Sequence, residues 1–356
     1  MKHVWIRVGA ISVAAVLLMA AYKRADQSTV MANAANAFLS SLWADQKAKV
    51  MYAFDDDQRM EWHFIPLPAP TAPPPILAKA RKGMSFGEMA PYQRELATAL
   101  LAAGLSQQGF IKAESIMSLD QVLLMMEQGA GTNRRDPDNY YVTIFGTPAE
   151  KGTWGYRVEG HHISQNYTIV DGKIVDAPSF FGSNPAEVRV GPRKGLRVLA
   201  AEDDYGYDMI ESLDASEKAV AVVDKTAYKD IITFDSRKAA LNGAPNGLAA
   251  SKMTAAQYDK LLTLVQVYAE NVPPEMAEQR MELAKKQPKD ATFFAWSGDT
   301  ARGALHYYRV QTPQFLIEFD ETQDNGNHIH SVWRDYQNDW GGDLLKMHYD
   351  ASHNVK

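Results

Sequence analysis

A chain of 356 residues, 46% hydrophobic and 22% charged, has enough apolar surface for a substantial core in one large domain or two modest ones. A net charge of -6 with no basic stripe excludes a nucleic-acid footprint. With no cysteine there is no lipoprotein anchor, disulfide or thiolate ligand, so any metal falls to His, Asp or Glu.

Lys2, His3 and Arg7 precede an apolar run over 8–21, and Lys23, Arg24 and Asp26 follow it. This pattern predicts a signal peptide or N-terminal anchor over residues 1–25, since the run is short for a span of ~20 residues. Export without disulfides points to a periplasmic or secreted protein, attached to a membrane only through that segment if it stays uncleaved.

Residues 31–55 are patterned as helix, with Ala35, Phe38, Leu39, Leu42 and Val50 at helical spacing. Residues 54–65 read as strand or turn, and 66–75, with six prolines, as an extended surface loop. The stretch 84–128 is mostly helical, broken at Gly104, and 134–138 is a turn. Strands are expected over 140–145, 154–170 and 173–175, the last two joined by a hairpin at Asp171-Gly172. A Gly- and Pro-punctuated loop over 180–192 leads to helices over 211–223, 254–270 and 276–286. Strands over 292–296 and 307–310 precede a hairpin, 314–320 with 328–334, and 343–349 forms a closing helix.

The order predicts an α+β fold, helical segments alternating with antiparallel β-hairpins, in a single domain over 33–350. Leu42-x-x-x-Gln46, Met89-x-x-x-Gln93, Leu213-x-x-x-Glu217 and Met253-x-x-x-Gln257 each open a helical stretch. Tyr156-Arg157-Val158 recurs as Tyr308-Arg309-Val310, at a similar distance after Gly146 and Gly298. Either these are chance likenesses of common residues or two related α-then-β halves, 33–192 and 193–350, share one core. The duplication register sets His162 against Gln314, Asn166 against Glu318 and Thr168 against Asp320.

The last hairpin carries the chemistry. Phe315, Ile317 and Phe319 share one face of its first strand, Glu318 and Asp320 the other, while His328 and His330 point the same way. A wider loop sets Asp320 opposite His328 and Glu318 opposite His330, and it keeps the aromatic face with Ile329 and Trp333. A tight Asn325-Gly326 turn would bring Gln323 and Glu321 there instead. In 157–164, strand alternation gives His162 a polar face with Ser164 and Asn166, and makes His161 its hydrogen-bonded support unless Gly160 re-aims both. His161, His162, His328 and His330 are thus the candidate metal ligands, with Glu318, Asp320 or Glu159 as further ligand or general base. The ion is divalent, zinc favoured, with iron or copper as alternatives. Arg157 and Arg334 flank these histidines, where an arginine either pairs with Asp335, the favoured reading, or clamps a substrate carboxylate or phosphate.

No Gly-rich phosphate loop, nucleophile elbow or His-Glu-x-x-His is present. The pattern therefore predicts an exported metal-dependent enzyme, a hydrolase first, acting on an unspecified small molecule or polymer. The alternative is a non-catalytic periplasmic binding or envelope-associated protein whose histidines are structural.

Trp62-His63-Phe64, Arg135-Asp136-Pro137, 160–164, Asn184-Pro185-Ala186 and 327–335 resemble the domain-of-unknown-function family numbered thirty-five hundred, over about 38–348. The proline run after Phe64, and Glu321 in place of an amide, depart from its pattern. The resemblance implies a mostly exported protein and brings no activity with it.

Overall fold

The computed structural model describes residues 26–67, 81–127 and 134–353. The expected signal segment and most of the proline-rich loop lie outside the described residues. In chain order the first half holds α1 (Gln27–Ser41), α2 (Ala44–Val50), β1 (Met51–Tyr52), β2 (Met84–Ser85), α3 (Pro91–Gly104) and α4 (Gln107–Met126). Strands β3 (Tyr141–Gly146), β4 (Thr153–Gly160), β5 (Ile163–Val170), β6 (Lys173–Val175) and β7 (Ser179–Ser183) follow. The second half holds α5 (Ala200–Glu211), α6 (Ala215–Ala221), β8 (Val222–Asp224), β9 (Leu248–Ala249), α7 (Ala255–Ala269) and α8 (Pro274–Lys286). It ends with β10 (Phe293–Gly298), β11 (His306–Gln311), β12 (Phe315–Glu321), β13 (Ile329–Asp335) and α9 (Gly342–His353). The fold is α+β, as the pattern of elements predicts. Among the described residues no helix is long and apolar enough to cross a membrane.

The strands form one sheet in the order β1-β3-β4-β5-β7-β13-β12-β11-β10-β8, with β2, β6 and β9 pairing to β3, β5 and β10. The order mirrors itself about the central antiparallel β7–β13 pair, and the outermost β1 and β8 each run parallel to their neighbours. The repeated helix-opening motifs have a physical reason. Oε atoms of Gln46, Gln93, Glu217 and Gln257 each accept from the backbone N–H three residues back, at 2.7–3.0 Å, closing a turn that would otherwise leave an orphan donor. Gln93 and Gln257 then donate to the carbonyls of Ser41 and Ser212, which end α1 and α5.

Alternation decides what each sheet face meets. Tyr156, Val158, Tyr308, Val310, Ile317 and Phe319 join the helices in the main core. The opposite face carries Arg157, Glu159, Glu318, Asp320, His330 and Arg334, all buried. Segments 53–67 and 225–247 cover it through a second cluster of Trp62, Phe64, Phe180, Ile231, Val332 and Trp340. Burying so many charges on a sheet face requires partners for each, and these covering segments provide many of them.

Candidate metal centre

The first histidine is placed by a turn. Gly160 and Ile163 are the last pair of the β4–β5 ladder, so His161-His162 is the two-residue connection rather than a stretch of strand. Strand alternation therefore does not apply to the pair; both rings leave the same end of the sheet and stack with centroids 3.9 Å apart. His162 adopts φ 62°, sparsely populated for a residue with a side chain. It is held there by donating its N–H to Phe64 O at 2.9 Å and accepting Gly182 N–H at 2.8 Å.

The other two histidines enter at the start of β13. Asp320 pairs with His330 and Glu318 with Val332, a register two residues away from the expected wider loop and also different from the tight turn. The faces are as expected, with Phe315 stacked on Trp333 at 4.6 Å. The shift arises in the connection, where Asp324, Asn325 and Gly326 all take left-handed φ (49°, 63° and 69°), which a two-residue hairpin does not require of three successive residues. His328 consequently stands just ahead of the paired strand.

The three imidazoles converge through Nε2. His162 lies 2.8 Å from His328 and 3.2 Å from His330, and His328 lies 3.1 Å from His330. Three nitrogens on a tetrahedral zinc at ~2.0–2.1 Å would be roughly 3.3–3.4 Å apart. The opposite ring atoms fix the tautomers. His330 Nδ1 donates to Asp230 Oδ1 at 2.7 Å, and His328 Nδ1 lies 3.0 Å from Asp324 Oδ2. A carboxylate only accepts, so in both rings Nδ1 carries the proton and Nε2 presents a bare lone pair. Asp230 also accepts from Gln323 Nε2 at 3.0 Å. Lone pairs facing one another at contact distance repel unless a cation or proton lies between them. Burial, then the neighbouring histidines, hold His328 down at about 2 and His162 well below the ordinary imidazole value. Both stay neutral, the form that binds metal. Among the described residues, His162, His328 and His330 thus form a group that can hold a metal ion.

A cleft of about 280 Å³ opens over the three rings, walled by Phe64, Ile65, Pro66 and Phe234, with Arg135 and Asn184 at its polar side. Phe64 stacks on Phe180 at 3.9 Å and meets the His330 ring edge-to-face, with centroids 4.7 Å apart.

Several expected site residues do other work. His161 is outside the converging set; its Nδ1 bonds Asp120 at 2.6 Å and its ring braces His162. Glu318 accepts from Ile232 N, Thr233 N, Thr233 Oγ1 and Tyr307 OH, and so fastens the segment that brings Asp230 to His330. Asp320 accepts from the hydroxyl and the backbone N–H of Thr322 and is fully buried. Burial pushes its carboxyl up to about 8. Glu159 pairs with Arg157 at 3.1 Å and accepts from His63 N. Arg157 also donates to Gln58 O. Arg334 pairs with Asp339 at 2.7 Å, rather than with Asp335, and donates to Ser236 O over the ring of Trp62. The two arginines clamp the covering segments to the sheet, because guanidinium groups buried on a polar face must find acceptors there. Neither lines the cleft. His348 bonds Asp171, away from the centre.

The arginine that does line the cleft is Arg135, bonded to Glu127 at 2.6 Å and lying 3.4 Å from His161. Arg135 and Asn184 fall within the motifs that carry the family resemblance, which was their available signal. Asp230 sits in a stretch without any motif, and its contact spans a hundred residues of sequence.

No curated protein and no solved structure matches this chain. The model of a family described as "Protein of unknown function (DUF3500)" matches residues 24–342, nearly the whole described chain, and the protein belongs to that family.

Proposed function

We propose that the protein is an exported metal-dependent enzyme, a hydrolase, whose ion is held by His162, His328 and His330. The observation that carries this reading is the meeting of three buried Nε2 atoms, two of them backed by carboxylates on Nδ1. Carboxylate backing orients a ligand ring and raises its basicity, and a purely structural histidine network has no need of three converging lone pairs. An all-imidazole set favours zinc, with iron or copper as the alternatives. Zinc in such a set supplies a Lewis acid and lowers the pKa of bound water. The chain supplies the rest. Phe64 and Phe234 narrow access for water, and Arg135 and Asn184 offer donors to an anionic or carbonyl group. Asp230 and Asp324 both line the cleft; Asp324, with its side chain 60% exposed, is in this reading the one that passes a proton between the cleft and solvent. It takes the role that Glu318, Asp320 and Glu159, all tied up within the sheet face, are not placed to fill.

The test is metal content by mass spectrometry on untagged full-length protein, beside folded His328→Ala and His330→Ala. Near-stoichiometric metal in wild type, lost in both variants, is the expected result and opens a screen of ester, amide and phosphoester substrates. No metal in wild type, with none taken up on incubation, would overturn the reading in favour of a non-catalytic binding or envelope-associated protein. Export rests on the basic and apolar pattern of residues 1–25. It is checked by N-terminal sequencing of protein recovered from the cell exterior or periplasm.

A further inference from the structure

A second donor cluster lies outside the cleft. His306, the first residue of β11, is the cross-strand partner of Glu321, the last residue of β12. Asp203 of α5 closes over them, and one ligand atom from each of the three lies within 4.8 Å of the others. His306 is fully buried, its ring stacked at 4.6 Å on Trp296 and 5.3 Å from Phe319. Its Nδ1 stands 2.9 Å from the carbonyl of Ala304, which can only accept, so the neutral ring carries its proton there. That leaves Nε2 bare and aimed at Asp203 Oδ1, 3.5 Å away. His306 Nε2 has no hydrogen-bond partner, while the Asp203 carboxyl shares a side-chain hydrogen bond with Glu321. Two buried acceptors face each other with a second carboxylate alongside. Asp203 Oδ2 is engaged separately by Arg197 at 2.7 Å, so the arginine does not fill the gap on the Oδ1 side.

We propose that Asp203, His306 and Glu321 form a second, structural binding site for a divalent first-row metal ion of the zinc or manganese type. One imidazole nitrogen and two carboxylate oxygens make a donor set such ions accept. Three carboxyl groups, those of Asp203, Asp204 and Glu321, gather beside the guanidinium of Arg197, which bonds both aspartates, with Arg302 4.0 Å from Asp204. The site would join α5 to the ends of β11 and β12. Glu321 immediately precedes the turn that carries Gln323 and Asp324, the partners of Asp230 and His328. An ion here therefore pins the turn that orients the three-histidine centre, without taking part in its chemistry.

The experiment equilibrates metal-free, full-length protein with zinc or with manganese, removes the excess, and counts ions per chain by mass spectrometry. Wild type is expected to retain two and Glu321→Gln one. His330→Ala, which breaks the histidine centre, is expected to keep one, and the double variant His330→Ala/Glu321→Gln none. The ion should also raise the melting temperature of His330→Ala but not of the double variant. If Glu321→Gln fails to fold, Asp203→Asn makes the same subtraction. Equal counts with and without the Glu321 or Asp203 change overturn the proposal and leave a shared proton as what bridges the acceptors. Failure of the three-histidine reading appears separately, as equal counts in wild type and His330→Ala.

Discussion

At the scale of single residues, a buried imidazole becomes a ligand through what holds its far nitrogen. Asp230 holds that nitrogen of His330, and Asp324 that of His328. Removing such a carboxylate while keeping the shape typically lowers metal affinity by about 10–100-fold. Asp230→Asn is therefore expected to bind zinc that much more weakly in competition with a chromophoric chelator, and an unchanged affinity would remove Asp230 from the centre. His328 and His330 were legible in the sequence because residues two apart in a strand share a face. Asp230 was not, because no local pattern reports a partner a hundred positions away. Glu318 and Asp320 were placed on the correct face, but their partners were not legible, since a strand pattern gives a direction and not the donors that arrive from a covering loop. Asp320 has a measurable consequence. Its carboxyl is raised from 3.8 to about 8, so the folded chain holds a proton that the unfolded chain has released. The stability this contributes is fully present below 3.8 and is lost as pH rises through 8, at up to about 1.4 kcal/mol per pH unit. Denaturant unfolding of wild type should weaken across that window relative to Asp320→Asn. Parallel curves for the two proteins would count against a raised value.

At the scale of elements, the centre depends on two connections whose geometry strand periodicity does not encode. The β4–β5 turn turns both histidines away from the ladder, and the β12–β13 connection displaces the register by two residues. The strand order was not readable, since β7, which joins the two halves of the sheet, fell in a stretch expected to be loop, but the faces were readable from alternation. The register was not, because it is set by three left-handed residues in succession, and Asn325-Gly326 alone suggested a simpler turn. Gly182 of β7 tests the support of His162. A Cβ there would lie 2.8 Å from His162 Cδ2 and 2.9 Å from Ile329 O, tighter than real contacts allow. Gly182→Ala should therefore push the imidazole out of the trio, so that bound metal falls sharply while far-ultraviolet circular dichroism stays close to wild type. Full retention of metal would mean that the ring has another place to stand. The change tests positioning specifically, since it alters none of the ligands.

At the scale of the molecule, the two halves share more than the central strand pair. The start of α4 meets the end of α7 head to tail: Ser106 donates its N–H to Asn271 O and its hydroxyl to Glu270 O. Gly109 is required there because a Cβ would come within 2.0 Å of Asn271 O. One turn further on, Lys112 of α4 reaches Glu202 of α5 and Asn271 Oδ1, beneath the ring of Phe181. The lysine side chain is 6% exposed and that of the glutamate 1%, so each charge relies on the other for the solvation it has lost. Truncating one partner of such a pair strands a buried charge and typically costs about 3–5 kcal/mol, whereas replacing both with apolar side chains of similar size is often close to neutral. Lys112→Ala should thus lower the stability of the whole chain by that amount in a single unfolding transition, because the pair ties one half to the other. The double replacement Lys112→Met/Glu202→Leu should recover most of the loss. A cost below about 1 kcal/mol for Lys112→Ala, or two separate transitions in wild type, would mean that the halves stand independently and that the ion pair is not what binds them.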